Sequence, residues 1–148
     1  MSYRTKFVPK IPTKYIGDFN KINCRSLWER KFCKFLDENV NIIRWSFETL
    51  KIQYMSPKDN ALHFYIPDFI VEKKNSKGEI ETLVVEIKPA KQTKKPIPTK
   101  RKHKRSLIAE NITYAINISK WEAAKRFCEK HSWKFIILTE NELFDASK

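Results

Sequence analysis

The 148-residue chain lacks any apolar run near the ~20 residues that a membrane-spanning helix needs. Residues 1–6 also lack the apolar core of a secretory signal peptide. The three cysteines lack the spacing of metal ligands, and Cys33 and Cys128 fall among apolar residues at helical spacing. We therefore expect an intracellular protein with reduced, buried thiols, and the length fits a single domain over residues 1–148.

Acidic residues are outnumbered: 30 Lys and Arg against 17 Asp and Glu give a formal net charge of +13. For so small a domain, this excess indicates a polyanionic partner, either nucleic acid or an anionic membrane surface. These two partners call for different surfaces. A membrane-binding segment needs an amphipathic face that inserts among lipids, whereas a nucleic-acid-binding segment needs cations that follow phosphates.

A basic loop over residues 89–105 contains no acidic residue. It has one bulky apolar residue, Ile97, so it lacks a face that could insert into a membrane. We interpret it as a segment that tracks DNA phosphates rather than as a merely solvated loop, and we expect no membrane partner. The cations proposed to contact DNA are Lys91, Lys94, Lys95, Lys100, Arg101, Lys102, Lys104 and Arg105.

Residue spacing predicts an α/β fold. Ser26 and Glu29, at the spacing of a capping box, open a predicted helix that ends near Asn39. Two more helices are predicted over about 103–116 and 119–130, the second opened by Ser119. β-branched and aromatic residues predict strands over 40–48, 50–54, 62–71 and 83–89, and a buried strand over 133–138.

The order of these elements predicts a mixed sheet. A final strand that follows helices favours parallel pairing, whereas the earlier strands are expected to be antiparallel. The predicted class is therefore α/β, with a mixed central β-sheet and helices on both faces. Residues 1–23 carry Pro9 and Pro12 among basic residues, and we predict an extended N-terminal arm that either packs on the domain or leaves it.

Two carboxylates and an ammonium are expected to meet on the strands 62–71 and 83–89. Successive strand residues point to opposite faces, so Glu86 and Lys88 share one face. If the strands are neighbours, Asp68 faces Glu86 at a strand spacing of ~5 Å. Like charges at this spacing are costly unless a cation compensates them, and Mg²⁺ prefers such oxygen ligands. We predict a metal site in which Lys88 orients or activates the attacking water.

Each of these residues also has a structural explanation. Asp68 could cap a turn or form a salt bridge, and Glu86 with Lys88 could be an ion pair on a solvated face. The capping box accounts for Glu29 completely, although a glutamate in the first turn could also point over the sheet towards the metal. Glu48 lies at a strand boundary, and we interpret it as a structural residue rather than a further acidic neighbour of the site.

The motif Pro67-Asp68 followed by Glu86-Ile87-Lys88, with Glu29 upstream on a helix, resembles the PD-(D/E)xK nuclease superfamily and its restriction-endonuclease-like core. The surrounding residues resemble the head completion nucleases of T4-like tailed bacteriophages over nearly the whole chain. The segments that carry this likeness are 14–18, 25–29, 65–69, 86–89 and 92–93. The arrangement is also similar to the TnsA-like nucleases that cleave transposon ends and use a similar helical glutamate.

The resemblance implies a DNA nuclease that depends on Mg²⁺, with Mn²⁺ as an alternative ion, and that uses no nucleotide cofactor. It implies that Asp68, Glu86 and Glu29 are catalytic metal ligands and that Lys88 is the catalytic lysine. Arg25 and Gln92 match positions near that site, where supporting contacts to DNA are expected. Endonuclease and exonuclease action both stay open.

The same resemblance implies a late step in phage assembly, in which packaged DNA is processed at the head so that the tail can join. Phage head, portal or neck proteins would be partners, and the protein would act in the host cytoplasm or within the virion head. The alternative is a non-catalytic, structural head protein that binds DNA ends on a nuclease-like scaffold. Its DNA binding would depend on salt but not on Mg²⁺ or Asp68.

Overall fold

The computed structural model describes residues 4–145, with side chains described as far as residue 143. Within that range the chain forms eight strands and three α-helices. The strands are β1 (Thr5–Lys6), β2 (Asn23–Cys24), β3 (Ile42–Phe47), β4 (Ile52–Ser56), β5 (Ala61–Tyr65), β6 (Phe69–Lys74), β7 (Ile80–Ile87) and β8 (Lys134–Leu138). The helices are α1 (Leu27–Glu38), α2 (Lys104–Lys130) and α3 (Glu140–Asp145).

The central sheet has four strands in the order β3-β6-β7-β8. β6 pairs antiparallel with β3 and β7, and β8 pairs parallel with β7, so the predicted mixed sheet is confirmed. The expectation that the last strand is buried is wrong. β8 is half-buried, because it has a neighbour on one side alone among the described strands.

The predicted strand 62–71 is two strands in two different sheets. β5 pairs with β4 in a separate hairpin, whereas β6 belongs to the central sheet. Pro67, which is buried, lies between them and cannot donate a ladder hydrogen bond. Asp68 therefore directly precedes β6 and does not interrupt a strand.

The helix predicted over 26–39 is confirmed by α1, whose first turn is capped by the Ser26 side chain. The two helices predicted over 103–116 and 119–130 are instead the continuous helix α2, and Ser119 caps nothing. Residues 104–130 contain neither glycine nor proline, so nothing in the backbone ends the helix at Ser119. The capping-box spacing there occurs by coincidence.

Helices cover both faces of the sheet, as predicted. On one face, α1 packs through Phe32, Cys33 and Leu36 into a core that includes Trp45, Phe69, Val71 and Val85. On the other face, α2 packs through Trp121 and Ala124 against Ile52, Tyr54 and Tyr65 of the β4-β5 hairpin and against Phe135 and Ile137 of β8. All three cysteines are free and buried, which confirms the predicted thiols. The described helices include none that is both long and apolar enough to cross a membrane.

The N-terminal arm packs on the domain rather than leaving it, as far as its described residues from 4 onward show. Phe7 and Ile22 are buried, and the Tyr15 ring lies edge-on to Trp45 with 4.8 Å between ring centroids. The arm is also held at the C-terminal end of α1. There the Lys14 ammonium donates hydrogen bonds of 2.8 to 3.0 Å to three backbone carbonyl oxygens. These lysine bonds satisfy carbonyl groups that a helix end otherwise leaves unpaired.

Asp37 is the buried anchor of the arm, and Asp37→Asn is expected to destabilise the fold. Its carboxylate is 1% exposed and accepts the backbone N–H groups of Lys10 at 2.7 Å and Ile11 at 3.0 Å. In asparagine, an NH₂ group would replace one of the two accepting oxygens and face a backbone N–H that then has no acceptor. This loss should lower the free energy of unfolding by about 2 kcal/mol. Thermal unfolding should show a Tm lower by about 4–8 °C. Glu38→Gln, at the neighbouring exposed ion pair with Lys10, is the control and should leave the Tm within about 2 °C. An equal loss in both variants would contradict the anchoring role.

Candidate active site

The predicted site residues lie at one edge of the central sheet. β6 runs antiparallel to β3 and β7, so the start of β6 lies beside the ends of the other two strands. Asp68 immediately precedes β6, Glu86 is next to last in β7, and Lys88 directly follows β7. The pairing of Phe69 with Val85 puts Asp68 next to Glu86 in register, as expected from neighbouring strands. Antiparallel pairing therefore gathers these three side chains, while their roles stay predictions.

Asp68 carries a carboxylate that the protein environment strongly disfavours as an anion. Burial raises its pKa to about 8, and the neighbouring Glu86 carboxylate contributes to the rise. The backbone N–H of Ile87 donates to Asp68 Oδ2 at 2.8 Å and partly opposes this effect. No hydrogen bond within the described part of the chain uses Asp68 Oδ1. One carboxylate oxygen therefore remains available for a cation or a proton.

Glu86 is held in place from two sides. Glu86 is 6% exposed, and the hydroxyl of Tyr65 donates a hydrogen bond to its Oε1 at 2.8 Å. The Lys88 ammonium lies 3.9 Å from Oε2. Burial raises the pKa of Glu86 in spite of these two partners. Two adjacent carboxylates with raised pKa values make a site where a cation would relieve a large electrostatic cost.

Glu29 lies in the first turn of α1, which Ser26 caps, and is also within electrostatic reach of the site. Its backbone N–H donates to Ser26 Oγ at 3.1 Å, and its Oε1 accepts the backbone N–H of Arg25 at 2.9 Å. In a capping box, the Glu29 side chain would accept the backbone N–H of Ser26. Here it accepts the N–H of Arg25, one residue earlier in the chain. Burial raises the pKa of Glu29, and its charge in turn helps to raise the pKa of Asp68.

Glu48 is a neighbour of the site, although its place at a strand boundary predicted a structural role. It adopts a left-handed backbone with a φ of 55°, unusual for a glutamate, and its backbone N–H donates to the carbonyl oxygen of Asp68 at 2.9 Å. Its carboxylate pairs with the Arg25 guanidinium at 2.7 Å. That pair fixes the loop before α1 against the end of β3. Arg25, a predicted DNA contact, thus has a carboxylate partner already.

The described residues include no group of three or more His, Cys, Asp or Glu side chains placed to hold a metal ion. The predicted ligand set of Asp68, Glu86 and Glu29 is therefore not assembled as a ready three-carboxylate site. The residues present nevertheless fit Mg²⁺, which proteins hold through one or two carboxylates while water and substrate phosphate complete its shell. The free Oδ1 of Asp68 beside Glu86 supplies such a pair. The role of Glu29 as a third ligand stays a prediction.

Two residues beside Glu86 were missed by sequence reasoning. Tyr65 ends β5 and orients the Glu86 carboxylate, as described above. Lys120 is half-buried in the middle of α2, with its ammonium 5.8 Å from the ring centroids of both Tyr54 and Tyr65. Nothing in the spacing around Lys120 indicates which strands its helix crosses, and the false capping box placed it at the start of a separate helix.

The basic loop leaves β7 directly after the site and is anchored at both ends. The backbone N–H of Ala90 donates to Glu140 Oε1 at 2.7 Å. Lys102 donates to Glu110 Oε2 at 2.8 Å and to the Ile97 carbonyl oxygen at 3.0 Å. Its ammonium therefore holds the loop in place and already has two partners within the protein. The other predicted DNA contacts are exposed, but two of them, Lys104 and Arg105, begin α2 rather than ending the loop as predicted. The exposed contacts that lie before α2 are Lys91, Gln92, Lys94, Lys95, Lys100 and Arg101.

The chain is similar in sequence to known nucleases. The head completion nuclease of Enterobacteria phage T4 is 39% identical over 148 residues, which span 97% of this chain and 95% of that protein. The model of the family described as TnsA-like endonuclease N terminal matches residues 39–140. That range includes Asp68, Glu86 and Lys88 and begins after Glu29. The chain therefore has the restriction-endonuclease-like fold predicted from its sequence and belongs to the TnsA-like endonuclease N-terminal family of nucleases.

Proposed function

We propose that the protein is a Mg²⁺-dependent deoxyribonuclease that hydrolyses phosphodiester bonds with little sequence preference. The observation that carries this proposal is the pair of Asp68, which is partly buried, and Glu86, which is buried, beside Lys88 at the point where the basic loop leaves β7. Two carboxylates with raised pKa values suit a divalent cation, and the net charge of +13 suits a DNA substrate.

Asp68 and Glu86 would hold the ion, either Mg²⁺ or Mn²⁺, and Glu29 would add a ligand directly or through water. When bound, the ion would polarise the scissile phosphate and lower the pKa of a bound water. Tyr65 keeps Glu86 oriented through its 2.8 Å hydrogen bond. Lys88 would position the attacking water or offset the negative charge that develops on the phosphate in the transition state.

The basic loop would hold the DNA backbone without reading the sequence of bases. Lys94→Ala with Lys95→Ala should therefore weaken binding equally for unrelated DNA sequences. Each lost phosphate contact should reduce the slope of log affinity against log salt by about 0.9, so the double variant should lose about 1.8. Fluorescence anisotropy of labelled duplexes at several salt concentrations measures this slope.

The control for that prediction is Lys74→Ala with Lys77→Ala, which removes the same charge from the last residue of β6 and from the turn that follows it, at the opposite end of β6 from Asp68. Its slope should stay at the wild-type value. A slope that falls equally in both double variants would mean that overall charge, rather than the loop, sets DNA affinity.

The proposed biological role follows from the name of the T4 relative, a head completion nuclease. We propose that this protein processes packaged phage DNA at head completion, before the tail joins. Its partners would be phage head, portal or neck proteins, and it would act in the host cytoplasm or within the virion head. Copurification with assembling heads, followed by detection of the protein in mature virions, distinguishes those two locations.

The test of the enzymatic proposal compares linear and supercoiled DNA in the presence of Mg²⁺, Mn²⁺ or EDTA. We expect cleavage with either ion and none with EDTA, and readdition of Mg²⁺ should restore it. Nicking of the supercoiled circle would indicate endonuclease action, whereas loss of linear DNA alone would indicate exonuclease action. Salt-sensitive binding that is indifferent to Mg²⁺, with no cleavage of either DNA, would instead support the non-catalytic DNA-end-binding protein.

A further inference from the structure

Lys120 presents an ammonium beside the site. None of the ion pairs within 4 Å in the described part of the chain involves it. Its Nζ instead lies 5.8 Å from the ring centroids of Tyr54 and Tyr65, which form an aromatic platform for the charge. Aromatic rings attract a cation by about 0.5–2 kcal/mol but do not cancel its charge.

The position of this ammonium is set by the continuous helix α2. The next residue, Trp121, is 4% exposed and packs in the core with Tyr54 and Tyr65. Lys120 therefore sits at the margin of a packed face and has little freedom to swing into solvent. The Tyr65 ring beneath it is the same ring whose hydroxyl holds Glu86.

Two ammonium groups converge on this part of the site. Burial lowers the pKa of Lys120, the Glu86 carboxylate opposes this effect, and the charge of Lys88 adds a smaller lowering. Glu86 already has Lys88 3.9 Å from its Oε2 and the Tyr65 hydroxyl on its Oε1. Lys88 therefore already pairs with Glu86, and the Lys120 ammonium, which has no ion pair among the described residues, remains available to an anion from outside the protein.

We propose that Lys120 is a phosphate-binding residue of the active site, which holds a phosphate group of the DNA strand from the side of α2. This inference rests on the proposed nuclease function and extends it to a residue outside the predicted motif. An ammonium is a compact point charge with three donors, and lysine commonly binds phosphate in this way.

Lys120→Gln, Lys120→Arg and Lys130→Gln test the proposal in the full-length protein. Lys130 is the control, because it ends the same helix and lies exposed about 15 Å along it from residue 120. DNA binding is measured in EDTA as a function of salt concentration, so this measurement does not need a loaded enzyme. Cleavage is measured separately with Mg²⁺, and thermal unfolding reports whether each variant is folded.

In Lys120→Gln we expect the salt slope of DNA binding to fall by about 0.9 and cleavage to fall about tenfold or more. Lys120→Arg should keep the slope and most of the cleavage, and Lys130→Gln should match the wild type in both. A wild-type salt slope in a folded Lys120→Gln would overturn the proposal, whatever happens to cleavage.

Tyr65→Phe separates phosphate binding from an indirect role of Lys120 through Glu86. The variant keeps the aromatic platform but removes the hydroxyl that orients Glu86, so cleavage should fall while the salt slope stays unchanged. If Lys120→Gln reproduces this pattern, Lys120 acts through Tyr65 and Glu86, and the proposal is wrong. If the wild type itself fails to cleave DNA, the nuclease proposal is wrong. The salt slope of Lys120→Gln still shows whether Lys120 contacts a DNA phosphate.

Discussion

Asp68→Asn should reduce DNA cleavage by at least about 10³-fold and also raise the Tm of the metal-free protein. Cleavage falls because an amide is a poor ligand for a divalent cation. Stability rises because burial makes the Asp68 anion unfavourable, as its raised pKa indicates. Asparagine keeps an oxygen that can accept the 2.8 Å hydrogen bond from the Ile87 N–H. If the gain is about 1.5 kcal/mol, the Tm should rise by about 3–6 °C.

The gain in stability should depend on pH. The pKa of Asp68 rises on folding from 3.8 to about 8, so the folded state binds the proton more tightly than the unfolded state. The protonated carboxyl therefore contributes its full stability below about pH 4, and this contribution is lost as the pH rises to about 8. The difference in Tm between Asp68→Asn and the wild type should accordingly widen between pH 4 and 8 in EDTA.

The matched control is Asp59→Asn, which changes an exposed aspartate whose pKa is lowered by its hydrogen bond with His63. It should leave cleavage unchanged and should not raise the Tm. Mg²⁺ should raise the Tm of the wild type but not that of Asp68→Asn, because only the wild type keeps both carboxylates. Full cleavage by Asp68→Asn, or a Tm difference that narrows as the pH rises, would contradict this account of the residue.

Lys88→Gln should reduce cleavage by about 10²–10³-fold while DNA affinity stays within about threefold of the wild type. The ammonium lies 3.9 Å from Glu86 Oε2 and its side chain is 29% exposed, so Lys88 reaches both the carboxylates and the solvent side of the site. Its charge matters most in the transition state, when negative charge builds up on the phosphate. Single-turnover cleavage and equilibrium binding in EDTA measure the two quantities separately.

Lys91→Gln is the control for Lys88, since it removes the same charge three residues later, at an exposed position of the loop. It should weaken binding slightly and leave the single-turnover rate within about threefold. Equal losses of rate in the two variants would mean that Lys88 contributes only general positive charge. A selective loss in Lys88→Gln would support its placement beside the reacting phosphate.

The parts of the site that sequence could predict are governed by local spacing. Glu86 and Lys88 are two residues apart near the end of a strand, so their shared direction follows from strand geometry. Asp68 could be placed next to them because it precedes a strand that pairs with its sequence neighbour β7. The cap of α1 by Ser26 is equally local, since it needs only the residues of one turn.

The remaining features depend on contacts between distant parts of the chain. Tyr65 reaches Glu86 because Pro67 separates β5 from β6 and lets the hairpin pack against α2. Lys120 lies over the Tyr65 ring because α2 continues through Ser119 without a break. Neither event leaves a periodic signal in the sequence. The position of Glu48 depends in turn on a left-handed backbone that its residue type does not favour.

The central claim, that Asp68 and Glu86 share a divalent cation, is tested most directly by crystals soaked in Mn²⁺ and measured for anomalous scattering. The account predicts one strong anomalous peak within about 2.3 Å of both Asp68 Oδ1 and a Glu86 carboxylate oxygen. The same soak of Asp68→Asn should lack that peak. A map with no peak between these carboxylates in the wild type, or with an unchanged peak in Asp68→Asn, would contradict it.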